Sequence, residues 1–498
     1  MQQDELFLLI KSLTKNEKKF FTQYVNLYEK NGSPVYLRLF NFLNDEAEYD
    51  EEKIFKKFRD KNFRKNYAVT RHYLKNLIIK TLRHSELTVR EESDLTVYVL
   101  DIKRLMAKGL FGMAKKMIEK LKTEAYADEK LMDIIQLIAM QRGLVSMGYY
   151  RHEPEVSLDK LDEEEELLLE RITELRKVMN ALIKLYSLMH FELNVLPTEV
   201  LAEIKKLGDT PLLKRPDELR SAKAKHSALQ FWALYHSALG DYASYLLWAE
   251  RKLAFAESEG LPHSPSVNWK ILAYNHCLSA SFLTKDYSRF EMHLQYLENL
   301  ELQSSFHDAE LFQTVSIYGL LYHLHFYNPE KTERYIAYSK DGITRLTPFL
   351  RKVFVYTLRT LIAYAYLRLG KLDDCMKEVN DLLALTNGET RRDYLGHVKI
   401  INLMLRYEMK EGIYLSHLIK NTYRYFASYL YATPLHQLVI AYLKEALKTK
   451  TRQEFARLND TYTELLSKTR FPPTEADMAL AMMIEDYIKS KSSDKAGN

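Results

Sequence analysis

Apolar residues return every three or four positions along almost the whole chain, the signature of helices that each bury one face. Phe21, Tyr24, Val25 and Tyr28 mark one such face, Ala114, Met117, Ile118 and Leu121 a second, and Leu358, Leu361, Ile362, Ala365 and Leu369 a third. Start signals agree with this period. Thr14 followed by Glu17 predicts a capping box, Ser33-Pro34 an N-cap with proline at the first helical position, and Asp50 an N-cap ahead of an acidic turn. No run alternates apolar and polar residues between turn dipeptides, so strands are not expected. The pattern predicts an all-α protein.

The helices group along the chain. Residues 1–85 read as a basic N-terminal block of about five short helices, either a cap or a helix-turn-helix-like module. Residues 92–217 hold further hairpins and a long helix headed by the acidic run Asp162 to Glu166, and they close on prolines at 197, 211 and 216. Helix then follows helix through 218–487, and 488–498 reads as a disordered tail.

One turn recurs. In the segments at 106–121, 237–257, 282–297 and 367–385 a helix stops at a glycine or lysine, a bulky residue follows two positions on, and a second amphipathic helix begins. Gly109, Gly240 and Gly370 supply the turn, and Phe111, Tyr242, Tyr287 and Leu372 are expected to plug the space between paired helices. Gly109, Phe111 and Ala114, and likewise Ala363, Tyr366, Gly370 and Leu372, resemble the tetratricopeptide repeat (TPR), over about two thirds of the chain. The pattern departs from that repeat where Tyr245, Phe290 and Cys375 replace the small residue of the second helix, and no early tryptophan is present. The plug residues lie 131, 45 and 85 apart, none a multiple of 34. The resemblance implies an irregular α-solenoid of stacked antiparallel hairpins with an N-terminal helical block, and hence a curved face that grips a peptide or protein.

Composition changes this picture little, and charge changes it in one place. A chain of 498 residues with 47% apolar and 28% charged residues folds into several domains or an array, and 15 glycines with 12 prolines are too few for a strand-rich fold. Cys277 and Cys375 lie far apart in apolar stretches, so no disulfide is expected; with no signal peptide and no membrane-length apolar run, a cytoplasmic protein without membrane contact is expected. Between Lys53 and His84, eleven basic residues face one acid, Asp60, whereas the whole chain carries only +5. Lys53, Lys57, Lys61 and Arg64 would share a helical stripe, joined by Lys56, Lys65, Arg71 and Lys75, with Phe55, Phe58, Phe63, Tyr67 and Tyr73 interleaved. Such a face suits a polyanion or a protein partner; the alternative is a solvated face whose aromatics are core and whose lysines meet the 162–166 carboxylates. The 35 tyrosines, clustered at Tyr423, Tyr425, Tyr429 and Tyr431 beside Phe426, suit either peptide contact or interhelical packing.

Catalytic and cofactor motifs are not recognised: no phosphate loop, no dinucleotide fingerprint, no His-Glu-x-x-His and no nucleophile elbow. His323 and His325 face different ways on a helix, Pro216-Asp217-Glu218 matches only part of a nuclease signature, and Glu163 to Glu166 read as solvated carboxylates favouring a helix dipole. No cofactor, metal or catalytic residue is therefore expected. The expected function is a non-catalytic protein–protein interaction scaffold; the alternatives are a nucleic-acid-associated regulator contacting its target through residues 53–84 with the repeat region as sensor, and an enzyme with an unfamiliar site.

Overall fold

The computed structural model describes residues 4–28, 34–46, 48–89, 95–189, 198–258, 263–300, 305–384, 392–429, 434–469 and 475–493. Expectations resting on Ser33, Pro197, Tyr431 and residues 494–498, and on the side chains of Tyr28, His84 and Tyr429, lie outside them. The fold is all-α: among the described residues there are 24 α-helices and no strand. The chain forms two compact units, residues 1–110 and 111–498.

The first unit contains α1 (Glu5–Ser12), α2 (Lys15–Tyr28), α3 (Val35–Asp45), α4 (Glu51–Lys57), α5 (Lys61–Lys65), α6 (Tyr67–Val89) and α7 (Leu95–Ala107). Helices α1, α2, α3 and α5 all pack on α6, around a core of Phe21, Leu39, Phe40, Leu74 and Ile78. The predicted capping box forms. Thr14 N donates to Glu17 Oε2 at 2.6 Å and Glu17 N to Thr14 Oγ1 at 3.3 Å. Asp50 caps α4 by accepting from Lys53 N at 3.1 Å. Pro34 itself occupies the N-cap of α3, so the helix starts one residue later than expected.

The second unit begins with α8 (Phe111–Ala127), α9 (Leu131–Ser146), the 32-residue α10 (Leu158–Met189) and α11 (Thr198–Gly208), then two 3-10 turns opened by Pro211 and Pro216. The succeeding helices come in pairs: α12 (Ala222–Leu239) with α13 (Tyr242–Glu257), α14 (His263–Leu283) with α15 (Tyr287–Glu298), and α16 (Ser305–His325) with α17 (Pro329–Leu346). The pairing continues with α18 (Lys352–Arg368) and α19 (Leu372–Ala384), α20 (Arg392–Glu408) and α21 (Gly412–Tyr429), and α22 (Pro434–Ala446) and α23 (Arg452–Lys468), before α24 (Glu475–Ser493). The first helices of neighbouring pairs also touch, α12 on α14 and so on to α20 on α22, so one core runs through the series.

The turn inside the first five of these pairs is one structure repeated. Gly240, Lys285, Tyr327, Gly370 and Lys410 all have positive φ, between 44° and 74°. At each, the residue's own N–H bonds the carbonyl three back while the next N–H bonds the carbonyl five back, as in Gly240 N to Ser237 O (3.1 Å) and Asp241 N to His236 O (3.0 Å). This double bond satisfies the last carbonyls of the helix and sends the chain back antiparallel. The five turns are 45, 42, 43 and 40 residues apart. The 85-residue interval read from sequence therefore spans a missed turn at Tyr327, and a further turn at Lys410 follows the last one found; at both, the left-handed position carries no glycine. Near 42 residues, the period is longer than the 34 of the tetratricopeptide repeat. Gly109 ends α7 with the same turn, φ 73°.

The plug expectation needs a second correction. Phe111, Tyr242, Tyr287 and Leu372 are only half-buried, Phe111 lying against Tyr149 with ring centroids 5.3 Å apart. The residue three positions on is the buried one: Ala114, Tyr245, Phe290, Thr332, Cys375 and Leu415. One helical turn further in, a side chain points at the partner helix rather than along the turn. Residues 488–493, expected to fray, continue α24 instead, with Ile488 and Ser490 buried and Lys491 Nζ on Glu408 Oε2 at 2.7 Å.

Candidate functional site

The basic segment does not form one continuous helical stripe. Asp50 starts α4, the chain leaves the helix at Phe58, and Asp60 caps α5 by accepting from Asn62 N at 2.8 Å. The interleaved aromatics build the core beneath this bend. Phe58 stacks on Phe63 (4.6 Å), Phe55 meets Tyr67 edge-on (5.1 Å), and Tyr67 shares a hydroxyl–hydroxyl bond with Tyr49 (3.3 Å). Tyr73 is half-exposed and leans on Tyr36 at 5.0 Å.

The cations above that core fall into two sets. Arg71 pairs with the buried Asp4 and lies over the Tyr67 ring at 5.5 Å, and Lys75 meets Glu5 at 2.7 Å, holding that carboxyl below its ordinary range. Both therefore fasten α1 to α6, so these two members of the candidate contact set already have carboxylate partners within the chain. Lys53 reaches Glu46 at 3.5 Å, and Lys56 makes a loose, solvent-exposed pair with Glu52 at 3.8 Å. The second set is open. Lys57, Arg59, Lys61 and Lys65 are exposed and make no ion pair among the described residues, and Arg64 rests only on the Phe55 ring at 4.9 Å. Five cations within nine residues thus face solvent without a carboxylate. Lys80 and Arg83, on α6, are exposed as well.

The acidic run is used inside its own unit. Asp162 and Glu165 hold Arg142, and Glu164 accepts from Lys122 at 2.7 Å and from the Tyr126 hydroxyl. These contacts tie α10 to α8 and α9. Asp217, from the partial nuclease signature, sits in a 3-10 turn between Lys225 (2.9 Å) and Arg251 (2.8 Å), and the Lys225 bond leads in pulling its pKa below the ordinary value. The tyrosine cluster divides between faces: Tyr423 is exposed beneath Lys444, while Phe426 is buried and stacks on His436 at 4.6 Å.

Sequence reasoning missed a buried polar cluster. Lys252 is fully buried on α13, donating to Gln230 Oε1 at 3.2 Å, and Gln230 donates in turn to the Tyr186 hydroxyl. His226 lies close by on α12, stacked on Trp269 at 4.4 Å, and Cys277 and His276 approach from α14. Burial pulls Lys252 down to about 7 and pushes both histidines well below their ordinary range, so at neutral pH the histidines are neutral and Lys252 stands near its midpoint. A lysine amid the apolar period of a helix gives no signal in sequence except its register, shared with Ala249, Leu253 and Ala256. Among the described residues, no three His, Cys, Asp or Glu side chains gather to hold a metal ion, and no helix is long and apolar enough to cross a membrane. Comparison of the chain with protein-family models, with curated proteins and with solved structures finds no match.

Proposed function

We propose that this protein is a non-catalytic adaptor, a TPR-like irregular solenoid of stacked hairpins, whose N-terminal unit docks an acidic partner on the bend between α4 and α5. The observation that carries the reading is the open set Lys57, Arg59, Lys61, Arg64 and Lys65, exposed above a completed aromatic core and unpaired among the described residues. Exposed like charges this close repel one another, and an acidic surface relieves that repulsion while steering the encounter. A curved hairpin array would present further surface to a protein or peptide partner. Two buried, unbridged cysteines accord with a cytoplasmic setting.

Nucleic acid is the second reading, favoured by the stretch from Lys61 to His84, which contains no acidic residue at all. Both readings are tested on the full chain carrying Lys57→Glu, Lys61→Glu and Lys65→Glu together. Retention on heparin and binding to a labelled 20-base-pair duplex are measured across a salt series. If phosphates are contacted, the log–log salt slope falls by about 0.9 for each contact removed. Loss of capture of an acidic protein partner, with duplex binding absent in both forms, supports the adaptor reading alone. Unchanged heparin retention and unchanged capture in the triple variant refute both.

A further inference from the structure

A cleft of about 500 Å³ opens between α15 and α17 above α16, within the range that encloses small ligands. One face of α17 supplies its chemistry. Lys331, Arg334, Tyr335 and Tyr338 stand at relative positions 0, 3, 4 and 7, so all four share one helical stripe, cations in the first turns and aromatic rings beyond them. Leu300, Leu311 and Val315 form the apolar wall opposite.

The side chains of this stripe are set rather than loosely displayed. Gly319 on α16 lets the Tyr335 ring lie directly on the helix backbone; a Cβ there would overlap the ring. The Tyr335 hydroxyl then donates to Glu298 at the end of α15, fixing the ring across the cleft floor. Burial raises the Glu298 carboxyl above its ordinary pKa despite the two nearby cations, and burial also keeps His323 neutral, pulled down to about 4. Lys331 and Arg334 make no ion pair among the described residues, although both act electrostatically on the Glu298 carboxylate that accepts from Tyr335.

We propose that this cleft binds a small amphiphilic carboxylate, with its head group between Lys331 and Arg334 and its apolar body between the two tyrosine rings and the Leu300–Leu311–Val315 wall. Two cations one helical turn apart match a single carboxylate, and beyond them Leu300, Leu311 and Val315 offer no second cation, the neutral His323 and the Tyr335-bound Glu298 being the other polar groups of the lining. The inference is separate from the basic bend of the N-terminal unit and does not depend on it.

Isothermal titration of the full chain with decanoate and with decanol tests it. Decanoate is expected to bind with one-to-one stoichiometry at least tenfold more tightly than decanol. Lys331→Glu with Arg334→Glu, both exposed, should weaken decanoate at least tenfold and leave decanol unchanged. Val315→Trp should abolish binding of both by filling the cleft, and Tyr338→Ala, which removes a half-exposed wall, should weaken both if the tryptophan variant does not fold. Equal affinity for decanoate and decanol, or decanoate binding untouched by the double charge reversal, overturns the proposal.

Discussion

Asp486 on α24 and Arg368 at the end of α18 are 118 residues apart, yet the Asp486 carboxylate accepts from Arg368 Nε at 2.5 Å and from the Tyr364 hydroxyl at 2.6 Å. Both partners of the pair are largely buried. Removing one member of such a pair leaves an uncompensated charge in the interior. Asp486→Ala is expected to cost about 3–5 kcal/mol in urea unfolding. Tyr364→Phe, which deletes only a neutral donor, should cost about 1–2 kcal/mol. Equal losses for the two would contradict the arrangement.

Lys252 makes stability depend on alkaline pH. Its folded pKa of about 7 lies below the ordinary 10.5, so between these values the unfolded chain binds more protons than the folded one. Stability should therefore rise with pH from about 7 to 10.5, the penalty for the buried charge being complete below 7. His226 and His276, also depressed by burial, add a further loss as pH falls below about 6.5. Lys252→Met should reduce the alkaline rise to the part left by Lys223 and Lys399, which burial also depresses, and leave the acid loss, as read from unfolding midpoints across pH 5–10. A rise undiminished in the variant would show that another group is responsible.

The repeated turn predicts a pattern of opposite signs. Gly240 and Gly370 have open space where a Cβ would stand, so alanine there meets only backbone strain, about 1–2 kcal/mol. Lys285 and Lys410 already bear that strain at φ 60°. Replacing either by glycine should stabilise by about 0.5–1 kcal/mol, read as an increase in thermal midpoint.

The two sets of N-terminal cations should separate in a stability assay. Arg71→Ala strands the buried Asp4 and is expected to cost about 1–3 kcal/mol. Lys65→Ala, exposed and unpaired, should stay within about 0.5 kcal/mol of the parent. On heparin the order should reverse, with Lys65→Ala eluting earlier at unchanged stability.

Much of this was readable from sequence wherever the cause is local. The apolar period, the Thr14–Glu17 box and the left-handed glycines each act within a few residues, and each appears where the pattern put it. Tyr327 and Lys410 were hidden because glycine is the usual mark of a left-handed residue, and the fold imposes that conformation on them through the same two hydrogen bonds. The basic segment was visible as charge, but its division was not. Arg71 and Lys65 look alike in sequence, and what separates them is Asp4, brought over from 67 residues away by the packing of α1 on α6. Register alone likewise could not distinguish Lys252, sealed inside, from a lysine whose stem lies along a helix and whose amine reaches water.

The packing of α24 on both α16 and α18, as well as on α22 and α23, has a consequence for how this row comes apart. A linear stack melts like a zipper, each outer pair lost with only its neighbour's consent. Here α19 to α23 are bracketed: the chain that leaves α18 returns to it through Asp486, so those five helices form the inside of a loop with a clasp. Peeling them away one pair at a time would first require the clasp to open, and the segment from Lys352 to Ser493 should thus melt as one cooperative block rather than fray in steps.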